Sequence, residues 1–369
     1  MMIHSCHHKA ERLTVEILFY CLALSTFFVA SLYIFVPPSV RVLPRDHVLH
    51  IQWRSCVILA VVVIALLMYP LLFCQPILDP TAPAADKSQG HSESFVSPPF
   101  YVYLGLYHSR HSSGAQAIQQ DIQVMGHVLT VYLGCFACVW MQIYHHARQQ
   151  ERTLKATQNI HKSSASSTST TTKILIPEPI HIYNSFKQTW IQPTLHSLHL
   201  FCVNATLRWI HLRNLLFAPF AEEVIFRACM LPPLLSSGFS PSNASWIAPL
   251  FFGVAHLHHF YIQRNSREWN SLVMGLALQW GYTTLFGAYA SLVFIRTGSL
   301  WAVVVIHSFC NYMGLPQLQF LNSRSVLYEY RWIIGAAYSI GIVLFVVGFD
   351  SKVFFPDVSV LPALLAMNH

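Results

Sequence analysis

The stretch "LLFAPFAEEVIFRACMLPPLL", Leu215 to Leu235, sets Glu222, Glu223 and Arg227 among aliphatic and aromatic residues. A charge at the centre of a membrane-spanning helix costs roughly 2.5–3.5 kcal/mol on insertion scales, so three in close succession require partners or a wet cavity. Residues four apart share a helix face, whereas neighbours point about 100° apart. That spacing places Glu223 to pair with Arg227. Glu222 has Phe226 at its own i+4 position and lacks such a partner. One glutamate would be neutralised and structural, and the other free to point into a cavity.

Two further apolar stretches carry polar groups. "PLFFGVAHLHHF" places His256 four residues after Phe252, and "WAVVVIHSFCNYMG" places His307 and Asn311 one turn apart. Counted from the helix ends expected on the cytosolic side, Glu222, His256, His307 and Asn311 lie roughly 11, 9, 12 and 6 Å deep at about 1.5 Å per residue. Four groups from three helices would then share one polar cavity. Each has a plainer reading: His256 as a hydrogen-bonded core histidine, Asn311 as an interhelical tether, and His258 and His259 as interfacial.

The elements that must position these groups follow from composition. The 369 residues are 54% hydrophobic and 10% charged, with mean hydropathy +0.45; a soluble domain averages about 25% charged. The pattern predicts an all-α polytopic membrane protein with about eight transmembrane helices and a polar cavity open to the cytosol. The expected spans are Thr14–Val36, Trp53–Phe73, Met125–Tyr144, Leu215–Leu235, Ser245–Ile262, Leu272–Ile295, Leu300–Leu315 and Trp332–Phe349. The first is too long for a signal-peptide core and reads as a retained span. Residues 1–144 form N-terminal helices with a polar loop at 74–124, in which Phe100–Tyr107 is a short apolar run. Residues 145–214 form a polar, partly disordered cytosolic connection containing the low-complexity tract "HKSSASSTSTTTK". Residues 215–349 form the helical core, and 350–369 a tail. Lys and Arg concentrate in the connections around 37–52, 145–214, 263–271 and 316–331, which predicts that these are cytosolic and both termini luminal. In such a chain the net charge of +7 sets orientation and gives no indication of nucleic acid. Cys135-x-x-Cys138 has redox spacing but sits in an apolar run, where a thiol packs as a small hydrophobe.

In order along the chain, "EEVIFR", "FGVAH" and "HSFCN" fit the EExxxR, FxxxH and HxxxN motifs of the type II CAAX prenyl proteases, within the wider CPBP/ABI group of intramembrane proteases. The resemblance covers about Leu215 to Leu315. It implies a multi-pass endopeptidase of the endoplasmic reticulum membrane that removes the last three residues of prenylated CAAX proteins. Its partners would be farnesylated or geranylgeranylated proteins such as Ras-type small GTPases, together with membrane lipid. On this reading Glu222 and His256 hold and deprotonate a water, and His307 and Asn311 donate to the oxyanion. Glu223, Arg227 and Phe252 support the site, and no cofactor or metal is expected.

Two other readings compete. Glu222, His256 and His307 could form a His₂Glu zinc site, although no HExxH helix is present. A transporter or scaffold could also use buried Glu, Arg and His as an ion path or rigid bundle.

Overall fold

A computed structural model describes residues 2–73, 114–163, 179–256 and 269–355. Among these residues every regular element is helical: α1 (Met2–Ile34), α2 (Val48–Phe73), α3 (Gly114–Val131), α4 (Leu133–Ser163), α5 (Pro179–Phe186), α6 (Gln192–Val203), α7 (Ala205–Leu212), α8 (Ala218–Glu223), α9 (Leu231–Ser236), α10 (Pro241–His256), α11 (Trp269–Thr297), α12 (Leu300–Met313) and α13 (Arg331–Gly348). Three helical stretches are long and apolar enough to cross a membrane: Thr14–Ile34, Val48–Tyr69 and Val326–Gly348. A fourth joins them if Ile118–Val131 and Leu133–Ala156, bent by 63°, form one span. Exposed Phe19, Leu67 and Val347 give these helices the apolar outer surface that lipid requires.

Several expected elements take a different form. Met125–Tyr144 is broken at Tyr132, whose N–H bonds Leu129 O three residues back. Leu215–Leu235 is a chain of short pieces: a π segment at Arg213–Phe217, then α8, a second π segment at Val224–Ala228, and α9. Pro219, Pro232 and Pro233 account for much of this, since each removes a backbone donor. The two polar connections are helical where described, in Gly114–Val124 and across α4 to α7. The run Phe100–Tyr107, most of the serine-threonine tract, His258, His259 and Ile262 lie outside the described residues.

The chain divides into two compact units. The first comprises residues 1–125, 209–313 and 352–369. Within it α10 and α11 approach closely through glycines. A Cβ on Gly287 would lie 2.8 Å from Pro249 Cβ, and one on Gly253 would strike the Trp280 indole. Small residues at such positions let helix backbones close on one another in a membrane. Ser25 Oγ of α1 donates to Phe251 O of α10 at 2.9 Å.

The second unit comprises residues 126–208 and 314–351. Its centre is the packing of α13 against α4 and the end of α3, where Gly134 of α4 meets Tyr338 and Gly341 meets the Thr130 carbonyl of α3. Cys138, Phe320, Leu327, Tyr330 and Ile334 form its core. Cys135 and Cys138 are both buried free thiols. Buried His127 donates from Nε2 to Phe345 O at 2.8 Å and stacks on the Phe345 ring.

Candidate active site

The site grows from the break in the 215–235 segment. Pro219 has no N–H, so the turn before it loses the donor that would bond Leu215 O in an α turn or Asn214 O in a π turn. Side chains from α12 bond both carbonyls. Ser308 Oγ donates to Leu215 O at 2.7 Å, and Asn311 Nδ2 donates to Asn214 O at 3.0 Å. The backbone defect thus fixes the register of α12 against α8, and that register sets where His307 falls.

His307, 6% exposed, lies between the two carboxylates. Its Nδ1 donates to Glu223 Oε1 at 2.7 Å, while its Nε2 is 3.6 Å from Glu222 Oε2. An ionised carboxylate only accepts, so Nδ1 carries a proton in this bond. Nε2 is the ring atom left for other chemistry. The Phe286 ring flanks the imidazole with its centroid 4.8 Å away.

Glu223 is fully buried and Arg227 nearly so, at 0% and 1% exposed. Arg227 Nε lies 3.2 Å from Glu223 Oε2, close enough for an ion pair, but without the alignment of a hydrogen bond. Nη1 and Nη2 have no hydrogen-bond acceptor among the described residues. The guanidinium instead lies 5.2 Å from the Phe252 ring centroid and 6.0 Å from that of Phe286. Aromatic faces attract a cation, more strongly where water is excluded. Phe252 also packs edge-on against Phe226, at 4.9 Å between centroids. The π segment Val224–Ala228, closed by Cys229 N–H to Val224 O at 2.9 Å, carries Arg227. Such wide turns recur at functional sites.

Glu222 differs from its neighbour in being one-fifth exposed at the side chain. Asn311 is exposed as well. Its amide has two N–H donors; one is bound to Asn214 O, which orients the group. His256 is the last residue of α10, and its side chain lies outside the described residues. The structure therefore brings together Glu222, Glu223, Arg227, His307 and Phe252, with Asn311 one turn along α12 from His307. Among the described residues, no three His, Cys, Asp or Glu side chains are grouped to hold a metal ion. The sequence reading missed the Glu223–His307 bond, Phe286 and Ser308. Ser308 had a signal: it directly follows His307, and Pro219 announces free carbonyls.

The fold and this cluster define a class: an all-helical polytopic membrane protein with a buried carboxylate–imidazole–guanidinium site. Residues 204–313 match the family model described as Rce1-like, type II CAAX prenyl endopeptidase, so the chain carries an Rce1-like region that includes the whole cluster. The chain is 46% identical over 138 residues to CAAX prenyl protease 2 of Arabidopsis thaliana, covering 36% of this chain and 41% of that protein. It is 44% identical over 142 residues to CAAX prenyl protease 2 of Homo sapiens, covering 38% and 41%. The protein of that name from Caenorhabditis elegans is 32% identical over 146 residues, covering 39% and 53%. The chain thus spans about two-fifths of the length of the plant and human relatives that it matches. No solved structure matches it.

Proposed function

We propose that this chain is a CAAX prenyl endopeptidase. It cuts after a prenylated cysteine and releases the three C-terminal residues by direct attack of an activated water. The observation that carries this reading is the Glu223–His307–Glu222 arrangement, within a region similar to proteins named CAAX prenyl protease 2.

Amide hydrolysis needs a base for the water and donors for the oxyanion. Glu222, the more exposed carboxylate, is the base, acting with His256. Glu223 holds His307 through Nδ1 and leaves Nε2 turned to the reacting centre, where its protonated form donates to the oxyanion. The second N–H of Asn311 donates to the same oxygen. Arg227 holds Glu223 in place, and Phe252 and Phe286 hold Arg227.

The substrates on this reading are farnesylated or geranylgeranylated proteins, Ras-type small GTPases among them. Their lipid lies in the bilayer and their peptide enters from the cytosol. A prenyl chain contributes binding at about 0.8 kcal/mol per buried CH₂, so a site at the membrane suits a lipid-tailed peptide. The membrane is that of the endoplasmic reticulum.

The test is cleavage of a farnesylated CAAX peptide by purified protein in liposomes. Wild type releases the tripeptide, and Glu222→Gln loses about 10²–10⁴ of the rate, the usual contribution of a general base. Wild-type cleavage by Glu222→Gln at equal protein level refutes the assignment. Loss of activity to a chelator, restored by zinc, would favour the metal reading instead.

A further inference from the structure

We propose that the seam between α4 and residues 179–203 is a binding site for the phosphorylated headgroup of an anionic membrane lipid. It lies in the second unit and is independent of the proteolytic reading.

The seam is polar on both walls. On α4, His146, Gln149 and Thr153 recur at intervals of three and four, so they share one face. Opposite them stand His181, Asn184 and Lys187, and the walls line an open cleft of about 670 Å3. That volume falls within the roughly 300–1,000 Å3 of small-molecule sites. Gln150 Nε2 donates to Gln188 Oε1 across the seam at 2.9 Å, which ties the walls together.

The chemistry of the lining suits an anion. It offers an ammonium, imidazoles and amides, and no carboxylate lines it among the described residues. Nearby carboxylates have other partners. Glu151 contacts Lys155 at 2.6 Å, and Glu329 lies 3.7 Å from Arg148 and 3.9 Å from His145. The charge of Lys187 is therefore not cancelled locally. A phosphate monoester, with several strong acceptor oxygens, matches such a set of donors.

Depth favours a lipid over a dissolved phosphate. The apolar run of α4 ends at Tyr144, and the lining begins two residues later and extends to Leu154. At 1.5 Å per residue the cavity covers about 3 to 15 Å beyond the apolar run. The headgroup layer on each side of a bilayer is roughly 5–8 Å thick. Ser185 Oγ donates to Ile143 O at 2.9 Å, with both residues buried, so residues 179–203 are held at the edge of that run. They also expose Ile180, Tyr183, Phe186 and Trp190 at near-helical spacing. An apolar, aromatic face beside a basic polar one is the signature of a segment lying in the membrane interface.

The test is native mass spectrometry of the full chain in detergent, with dioctanoyl phosphatidylinositol phosphate as probe and dioctanoyl phosphatidylcholine as control. Wild type retains the phosphoinositide about tenfold better than the control. The double variant Lys187→Gln/His181→Gln loses about tenfold to a hundredfold, as expected for one or two charged hydrogen bonds. Lys187→Arg retains binding, and Asn184→Trp, which fills the cavity without changing charge, abolishes it. The cavity-filling variant decides the matter should the double variant fail to fold. Equal retention of the two lipids overturns the proposal, as does unchanged binding in a folded cavity variant. Displacement of the lipid by millimolar inorganic phosphate would assign the site to free phosphate and equally overturn it.

Discussion

Replacing Glu223 by glutamine separates what this residue does for the fold from what it does for the site. The carboxylate is 0% exposed, 3.2 Å from Arg227 Nε and 2.7 Å from His307 Nδ1. Glutamine preserves shape and can still accept from Nδ1, but it leaves the guanidinium as an uncompensated buried charge. Removing one partner of a buried ion pair costs about 3–5 kcal/mol. At about 2.1 cal/mol/K of unfolding entropy per residue, a chain of 369 residues loses about 4–7 °C in Tm in the detergent-purified protein. The double variant Glu223→Leu/Arg227→Met removes both charges at similar volume, and such replacements are often neutral or stabilising. It recovers most of the Tm. It does not recover cleavage of a farnesylated peptide, because His307 has lost its acceptor. The loss falls mainly on kcat, since neither residue is assigned to substrate binding. Wild-type Tm in Glu223→Gln would refute the ion-pair argument. Restored cleavage in the double variant would refute the positioning of His307 by Glu223.

Other expectations follow from the same geometry. Gly287→Ala puts a Cβ 2.8 Å from Pro249 Cβ and 3.2 Å from Arg227 Nη2; overpacking of this kind costs about 1–3 kcal/mol, which thermal unfolding will register. Asn311→Asp replaces the remaining amide donor by an acceptor, and kcat should fall about 10²–10³-fold, the cost of one oxyanion donor, with KM little changed. For the proposed orientation, glycan attachment at the exposed Asn243 sequon and none at Asn204 is the expected result of mass mapping; a glycan on Asn204, whose Oδ1 accepts from Leu207 N at 3.2 Å, would reverse it.

The sequence disclosed the polar residues of this cluster better than their partnerships. Glu223 and Arg227 could be paired because four residues is a local distance on a helix. The bond from His307 to Glu223 joins residues 84 apart in sequence, and no periodicity reports which faces of two remote helices meet. Helix-face reasoning at 3.6 residues per turn also assumed one continuous helix over Leu215–Leu235. The π segments at Arg213–Phe217 and Val224–Ala228 change the rotation between successive side chains. Glu222 and Glu223, adjacent in α8 and pointing apart, reach the same imidazole by meeting its two different ring nitrogens, Nε2 and Nδ1. The apolar character of Thr14–Ile34 and Val48–Tyr69 could be read directly because lipid selects for composition. The bend at Tyr132 carries no such compositional mark.

The defect at Pro219 bears on how the protein is made. A buried backbone carbonyl left without a donor costs about 1–3 kcal/mol, and Asn214 O and Leu215 O receive side-chain donors from a helix that follows by about ninety residues. The earlier segment is therefore completed only when α12 packs against it. Ser308 and Asn311 act as late latches, and a chain that stalls before α12 leaves the turn before Pro219 short of a donor. Cellular quality control can recognise such a flaw, so substitutions at Ser308 should first appear as loss of protein in the cell.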